Sequence, residues 1–263
     1  MHNLHRVFLY YRFLMTQKSH TKQIILEKIT KKYSSDIGRK SVALTDVSFS
    51  VNSGEIYGII GPNGAGKSTA LKILLGFVRP DSGTVKLSGL HPKHPSSHEH
   101  VGYLPESPCL YNNLTVTDHL AFAGRVAGYS KQQTRQRTTE LLELTNLPHA
   151  AKKTIRNFSK GMTQRAALAY ALFHQPKILI LDEPMSGLDP VGRRLVIDII
   201  HEYNQRGNTV LFCSHILTDV ERICDRIGIM HQGQIKRTLD SDKLQGNTAL
   251  ESIFLQTVSA STQ

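Results

Sequence analysis

The stretch GPNGAGKST at residues 61–69 decides the fold, because its spacing matches the phosphate-binding pattern G-x-x-x-x-G-K-[ST]. Its glycines Gly61, Gly64 and Gly66 allow the backbone to curl around an anion with the N–H groups pointing inward. The apolar run IYGII before the loop favours a buried strand, and ALKILLGF after it favours a helix whose positive end faces the anion. The sequence therefore predicts a strand, a phosphate-holding loop and a helix in succession.

Two side chains of this loop carry the predicted chemistry. Lys67 would reach the β- and γ-phosphates of a nucleoside triphosphate, and Ser68 would offer its hydroxyl to Mg²⁺. The whole set of predicted binding residues in the loop is Gly61, Pro62, Asn63, Gly64, Ala65, Gly66, Lys67, Ser68 and Thr69.

KILILDEP at residues 177–184 supplies a second element. Its four apolar residues predict a buried strand, and Asp182 follows at the carboxyl end, where open α/β sheets place their ligands. Asp182 is predicted to hold Mg²⁺ through water. Glu183, the next residue, would point elsewhere along the strand and polarise an attacking water.

The remaining pattern predicts an α/β core. Helical spacing from Thr115 to His174 favours an inserted helical subdomain. Predicted strands lie on both sides of it: QIILEKITKKY (23–33), DVSFSVNSGEIYGIIG (46–61), TVKLSG (84–89), KILILDEP (177–184), TVLFCSH (209–215) and RIGIMHQGQI (226–235). The last three are short, doubly apolar runs of the kind that a parallel sheet buries. The tail TALESIFLQTVSASTQ predicts one or two amphipathic turns followed by polar residues.

With these motifs together, the chain resembles the ATPase subunit of an ABC transporter over about residues 23–240. The resemblance implies a P-loop NTPase fold: a RecA-like parallel-sheet core with an amino-terminal antiparallel β subdomain and an inserted α-helical subdomain. It implies an ATPase domain over residues 21–246, with the helical subdomain at about 107–172. Residues 1–20 would form an extension and residues 247–263 a tail.

The resemblance also assigns roles to further residues. Tyr33 lies where the family stacks an aromatic ring on adenine, and His215, at the end of LFCSH, matches the histidine that contacts the γ-phosphate. Lys67, Glu183 and His215 would form the catalytic group, with ATP and Mg²⁺ as cofactors. Asp189, in SGLDP (186–190), would face a partner subunit.

FSKGMTQR at residues 158–165 corresponds to the family signature, which is usually written LSGGQ. The matching residues are Ser159, Lys160, Gly161 and Met162, of which Lys160 replaces a glycine and Met162 a glutamine. The resemblance implies that they bind the γ-phosphate of ATP held by the opposite subunit. Two ATPase subunits, either two copies of this chain or this chain with a related one, would therefore pack head to tail around two ATP molecules. The added cation of Lys160 should tolerate or favour the phosphate.

VGYLPESPCLYNNLT at residues 101–115 places Glu106 where most family members carry a glutamine. A carboxylate there can still approach Mg²⁺, although it adds negative charge near the γ-phosphate. In the family, this loop and the helices after it receive the coupling segment of the membrane subunit.

The composition of 40% hydrophobic and 7% aromatic residues excludes a disordered chain. The net charge of +11 invites a nucleic-acid or membrane-surface interpretation, but seven of those charges lie within residues 1–40. Those first residues form either a basic, aromatic patch for anionic lipid or an upstream stretch before a start at Met15. Cys109, Cys213 and Cys224 lack C-x-x-C spacing, which predicts unbridged thiols in the cytoplasm.

No apolar run approaches the roughly 20 residues that span a bilayer. The resemblance therefore implies a motor subunit at the inner face of the cell membrane, driving transport through a separate transmembrane permease. The motifs YLPE, FSKGM and DEPMSGLDP and the tail ALESIFLQ resemble exporters more than importers.

Two alternatives stand beside this hypothesis. A soluble ABC ATPase acting on ribosomes or nucleic acid would usually carry two ATPase halves or long insertions. A kinase would leave the signature unexplained. Separately, HPKHPSSHEH holds His91, His94, His98 and His100, four imidazoles that could bind a transition metal or form a plain exposed loop.

Overall fold

The computed structural model describes residues 21–34, 40–241 and 250–259. The predicted extension at residues 1–20, including Met15, lies outside the described residues, as do residues 247–249 and 260–263 of the predicted tail.

The described residues form nine strands and seven α-helices. The strands are β1 (Lys22–Ser34), β2 (Lys40–Asn52), β3 (Ile56–Ile60), β4 (Ser82–Leu87), β5 (Val101–Leu104), β6 (Ile178–Asp182), β7 (Thr209–Ser214), β8 (Arg226–His231) and β9 (Gln234–Asp240). The helices are α1 (Lys67–Leu74), α2 (Val116–Val126), α3 (Lys131–Leu144), α4 (Lys160–Ala171), α5 (Pro190–Gln205), α6 (Leu217–Ile223) and α7 (Leu250–Ser259).

A six-stranded sheet forms the core, in the order β5-β6-β7-β3-β8-β9. Neighbours from β5 to β8 pair in parallel, and every residue of β3, β6 and β7 is buried. Continuous apolar strands of this kind require both faces of the sheet to be covered. The parallel strands bring the carboxyl ends of β3 and β6 to one edge, where the phosphate loop and the acidic pair follow.

A second, antiparallel sheet has the order β2-β1-β4 and precedes the helical region. Helices α2, α3 and α4 lie between β5 and β6 in sequence, so the helical subdomain is inserted into the α/β core. The predicted fold class is thus confirmed.

Two predictions about the carboxyl-terminal part need correction. RIGIMHQGQI is not one strand of a parallel sheet, because β8 ends at His231 and β9 returns antiparallel to it. The turn residue Gly233 has φ 73°, a conformation that glycine adopts without strain. The tail helix α7 has 10 residues, which is longer than one or two turns, and it buries Leu250 and Ile253.

The β8–β9 turn fastens the two sheets to the phosphate loop. The N–H of Gly233 donates to the carbonyl of Ala65 at 2.9 Å, and the carbonyl of Gly233 accepts from the N–H of Thr45 at 2.8 Å. A Cβ at Gly233 would lie 2.6 Å from the carbonyl oxygen of Ala43. The turn, the loop and β2 therefore form one hydrogen-bonded unit.

A partly buried ion pair ties β8 to the residue that precedes β3. Nη1 of Arg226 lies 2.9 Å from the Glu55 carboxylate, which is 4% exposed, and the guanidinium lies 5.1 Å from the ring centroid of Tyr57. Arg226→Met would leave a buried carboxylate without this cation. We expect it to lower the free energy of unfolding by about 2–4 kcal/mol in denaturant titrations. Arg194→Met is the matched control, because its pair with Asp198 is about half exposed, and it should cost below about 1 kcal/mol. Equal costs would contradict a structural role for the Arg226–Glu55 pair.

Candidate nucleotide-binding site

A cavity of about 500 Å³ opens over the phosphate loop. It brings together Tyr33, most of the phosphate loop and three residues with predicted roles near the phosphates, Glu106, Glu183 and His215. Its lining residues are Tyr33, Ser41, Val42, Ala43, Asn63, Gly64, Ala65, Gly66, Lys67, Ser68, Thr69, Glu106, Glu183 and His215. Residues up to 182 apart in sequence therefore share one site.

The phosphate loop has the backbone conformation that its glycines predict. Gly64 and Gly66 adopt φ 81° and 107°, and a Cβ at Gly66 would lie 2.7 Å from Leu44 Cδ2. At Gly61, a Cβ would collide with the carbonyl oxygen of Met230. Helix α1 then begins at Lys67. These close approaches leave room for backbone alone, which is what an anion cradle requires.

Lys67 is buried at the floor of the cavity, with 6% of its surface exposed. Its Nζ donates to the carbonyl oxygens of Gly61 at 2.7 Å and Pro62 at 3.3 Å. The ammonium group also lies 3.6 Å from Glu183 Oε1. The loop thus holds the cation at the position from which it can reach an anion in the cavity.

Glu183 does not continue the strand as predicted, because β6 ends at Asp182 and Glu183 adopts a left-handed conformation with φ 51°. This turn directs the carboxylate into the cavity between two basic groups. Oε1 faces Lys67, and Oε2 lies 2.8 Å from Nδ1 of His215. Glu183 is buried, whereas the side chain of His215 is half exposed. The carboxylate can therefore orient the imidazole and accept a proton.

Asp182 lies beneath this pair and beside Ser68. Burial raises the pKa of the Asp182 carboxyl, a hydrogen bond with Ser68 opposes the rise, and the charges of Glu106 and Glu183 add to it. Oδ1 of Asp182 is buried without a hydrogen-bond partner in the described part of the chain. An unpaired buried carboxylate oxygen next to a hydroxyl is an oxygen donor set that suits Mg²⁺. Asp182 and Ser68 therefore fit the Mg²⁺ ion that the family resemblance implies.

Three cavity residues were missed at the level of sequence: Ser41, Val42 and Ala43, all in β2. Tyr33 pairs directly with Ser41 across the β1–β2 hairpin, so the register of that hairpin was the signal that could have located them. Tyr33 is 39% exposed, and its ring is available to a planar ligand.

The signature residues lie elsewhere. Within the described residues, the lining of the 500 Å³ cavity includes none of Ser159, Lys160, Gly161 and Met162. Ser159 caps α4, where its hydroxyl accepts from the N–H of Met162 at 3.2 Å. Lys160 does not extend away from the chain, because its Nζ lies 3.3 Å from the Ser186 hydroxyl. Asp189 is exposed and caps α5, accepting from the N–H of Gly192 at 2.7 Å.

An apolar groove of about 600 Å³ runs between β5, the loop after it, and helices α2 and α4. Exposed apolar side chains line it, including Tyr111 at 75% and Phe122 at 50% exposure, with Arg125 at its edge. This groove is separate from the nucleotide cavity, but the loop that carries Glu106 borders both.

The histidine loop and the three cysteines lie outside the nucleotide cavity. The histidine loop folds on itself, with His98 Nε2 2.7 Å from the carbonyl oxygen of Pro92. The described residues contain no cluster of three or more His, Cys, Asp or Glu suited to a metal ion. Cys109, Cys213 and Cys224 are free thiols, and burial raises the pKa of the last two. Among residues 21–34, 40–241 and 250–259, no helix is long and apolar enough to span a membrane.

A family model described as ABC transporter matches residues 44–186. The chain is 44% identical over 210 residues to the uncharacterised ABC transporter ATP-binding protein YxlF of Bacillus subtilis, covering 80% of this chain and 68% of that one. It is 39% identical over 195 residues to a Nod factor export ATP-binding protein I of Burkholderia orbicola, covering 73% of this chain and 64% of that one.

Two solved structures have a similar fold. The ATP-binding subunit of an ABC transporter aligns with a TM-score of 0.80 at 29% identity, covering 89% of this chain and 99% of that one. A dimeric, post-hydrolysis ATP-binding cassette bound to ADP and Pi aligns with a TM-score of 0.75 at 25% identity, covering 83% and 98%. This chain therefore belongs to the ABC transporter family, as an ATP-binding and ATP-hydrolysing subunit that uses Mg²⁺.

Proposed function

We propose that the 500 Å³ cavity binds ATP through its described lining. The ring of Tyr33 would stack on adenine, the N–H groups of the phosphate loop would hold the phosphates, and Lys67 would neutralise the β- and γ-phosphates. The observation that carries this proposal is the placement of the Glu183 carboxylate between Lys67 and His215 inside the cavity.

Glu183 is proposed as the group that orients and deprotonates the attacking water. His215 would contact the γ-phosphate, and its hydrogen bond to Glu183 Oε2 would fix the imidazole orientation. The left-handed backbone at Glu183 supports this role, because it turns the carboxylate away from the direction of β6 and toward Lys67 and His215.

Ser68 and Asp182 are the proposed Mg²⁺ ligands, with Glu106 within reach at the cavity wall. The bound metal would neutralise charge on the phosphate oxygens. Asp182 would act through water, and the unpaired Oδ1 is the oxygen placed to do so.

Thermal unfolding can test this assignment without measuring turnover. We expect Mg-ATP to stabilise the parent chain more than ATP with a chelator does, because the ligand that binds the folded state more tightly stabilises it more at the same concentration. Asp182→Asn should remove that difference, which corresponds to about 1.4 kcal/mol for each tenfold loss of affinity. Asp198→Asn, in an exposed ion pair on α5, is the control and should keep it. An unchanged magnesium effect in Asp182→Asn would exclude Asp182 as a ligand.

The second anion site is proposed to act across a dimer. Ser159, Lys160, Gly161 and Met162 lie at the start of α4, outside the lining of the chain's own cavity, so they are free to face the nucleotide of a partner subunit. Asp189 would lie at the same interface. The dimeric cassette with similar fold supports this arrangement. The pair could be two copies of this chain or this chain with a related subunit.

We further propose that the apolar groove receives a cytoplasmic segment of a separate transmembrane permease, which would keep this subunit at the inner face of the membrane. The direction is proposed to be export, supported by the likeness to the Nod factor export protein. The relatives reported above are transporter subunits, which favours this function over an ATPase of ribosomes or nucleic acid.

Purification from detergent-solubilised membranes tests the proposed partner. A polytopic membrane protein should copurify with the tagged chain, and Phe122→Glu should lower its recovery at least about tenfold, because a charge would be buried in the groove. Leu255→Glu, at a 58% exposed position of α7, is the matched control and should leave recovery unchanged. Recovery of ribosomes or RNA without a membrane protein would contradict the transporter assignment.

The proposed domain limits follow the predictions. The ATPase domain would span residues 21–246, with a helical subdomain at about 107–172 that contains α2, α3 and α4. Residues 1–20 would form an amino-terminal extension and residues 247–263 a tail that includes α7.

A further inference from the structure

The first turn of α4 rests on the loop that follows Glu183. Lys160 Nζ donates to the hydroxyl of Ser186 at 3.3 Å. Gly187 has φ 73°, and a Cβ there would collide with the methylene stem of Lys160. The lysine therefore lies along a loop of its own chain, although it has an exposed position at the start of the signature helix.

One helical turn later, the same helix reaches the other end of that loop. Gln164 is 2% exposed, and its Nε2 lies 3.4 Å from the backbone oxygen of Glu183. The N–H of Ser186 donates to that oxygen at 3.0 Å. Residues four apart lie on one face of a helix, so Lys160 and Gln164 contact the Glu183–Gly187 turn at its two ends.

We propose that Lys160, together with Gln164, is a positioning residue that holds this turn and so orients the Glu183 carboxylate. The inference rests on the proposed role of Glu183. Because the signature would contact a partner's ATP while Glu183 serves the chain's own ATP, the same contact would link the two nucleotides of a dimer.

The left-handed conformation of Glu183 explains why such support matters. A non-glycine residue at φ 51° is held by its surroundings, and a looser turn would leave the carboxylate misplaced for more of the time. ATP binding would persist, because Lys67 is also held by the carbonyl oxygens of Gly61 and Pro62, which lie outside this turn. A lost positioning contact should therefore lower kcat and leave KM near its parent value.

Steady-state ATPase assays on the purified full-length chain test the proposal. Lys160→Met should lower kcat about two- to tenfold, the range expected for one exposed hydrogen bond, with KM changed by less than about twofold. Ser186→Ala should have a similar effect, and the double variant should lose no more than either single one. Lys160→Arg should restore most of the rate. Lys131→Met is the matched control, because Lys131 is also exposed and also follows a capping serine, Ser130.

A raised KM in Lys160→Met with a silent Ser186→Ala would overturn the inference and make Lys160 a phosphate ligand in trans. Additive losses in the double variant would overturn it too. Glu183→Gln in the same assay tests the proposed function separately. Hydrogen exchange adds a readout independent of turnover: the amides of Ser186 and Leu188 should exchange faster in Lys160→Met, and unchanged exchange would refute the contact.

Discussion

Replacing Glu183 by glutamine should lower the rate of ATP hydrolysis about 10²- to 10⁴-fold and leave ATP binding near the parent level. The amide is nearly the same size as the carboxylate and fits the same buried position beside Lys67 and His215. It cannot take a proton from water. Binding should persist because the phosphate loop and Lys67 remain in place.

A variant that binds ATP without hydrolysing it should also accumulate as a dimer. Light scattering with Mg-ATP would show a mass near twice the 29.4 kDa of one chain. Glu202→Gln, an exposed glutamate on α5, is the control and should hydrolyse ATP at the parent rate. Hydrolysis by Glu183→Gln at the parent rate would remove Glu183 from the proposed role.

Ser159→Arg should abolish hydrolysis while each chain still binds one nucleotide. Ser159 lies outside the lining of its own cavity, so an arginine there leaves that cavity intact. In a head-to-tail pair, the bulky side chain would occupy the space of the partner's γ-phosphate. Binding can be followed with a fluorescent ATP analogue, and turnover by phosphate release.

The same substitution removes a helix cap, which costs about 0.5–2 kcal/mol by itself. Ser130→Arg separates the two effects, because Ser130 caps α3 in the same way, through the N–H of Gln133. We expect Ser130→Arg to lose comparable stability and to keep its activity. Undiminished hydrolysis in Ser159→Arg would contradict the head-to-tail arrangement.

The phosphate loop could be predicted from sequence because each of its glycines has either a positive φ or no room for a Cβ. Gly61 and Gly66 face backbone and side-chain atoms that leave no room for a Cβ, and the lysine follows at the first position of the helix. The strand that ends at Asp182 could be predicted as well, because an uninterrupted apolar run of this length is typical of a strand buried in the middle of a sheet.

The rest depends on contacts between segments distant in sequence. Nothing near Glu183 in sequence specifies a left-handed backbone, which follows from packing against β7 and α4. The position of Lys160 beside Ser186 depends on Gly187, a glycine 27 residues later that leaves room for its stem. The reversal of β9 similarly depends on Gly233 meeting β2 and the loop.

The Gly233 turn has a mechanical consequence for the cavity. Its bonds to Ala65 and Thr45 join the wall formed by β2 to the floor formed by the phosphate loop. Adenine and the phosphates of the proposed ATP would thus contact one hydrogen-bonded unit, which consists of β2, the Gly233 turn and the phosphate loop. The opposite wall carries Glu106, Glu183 and His215, which lie on the loops that follow β5, β6 and β7. We expect a change in the bound nucleotide to move these three loops relative to β2 and the phosphate loop, which would move together.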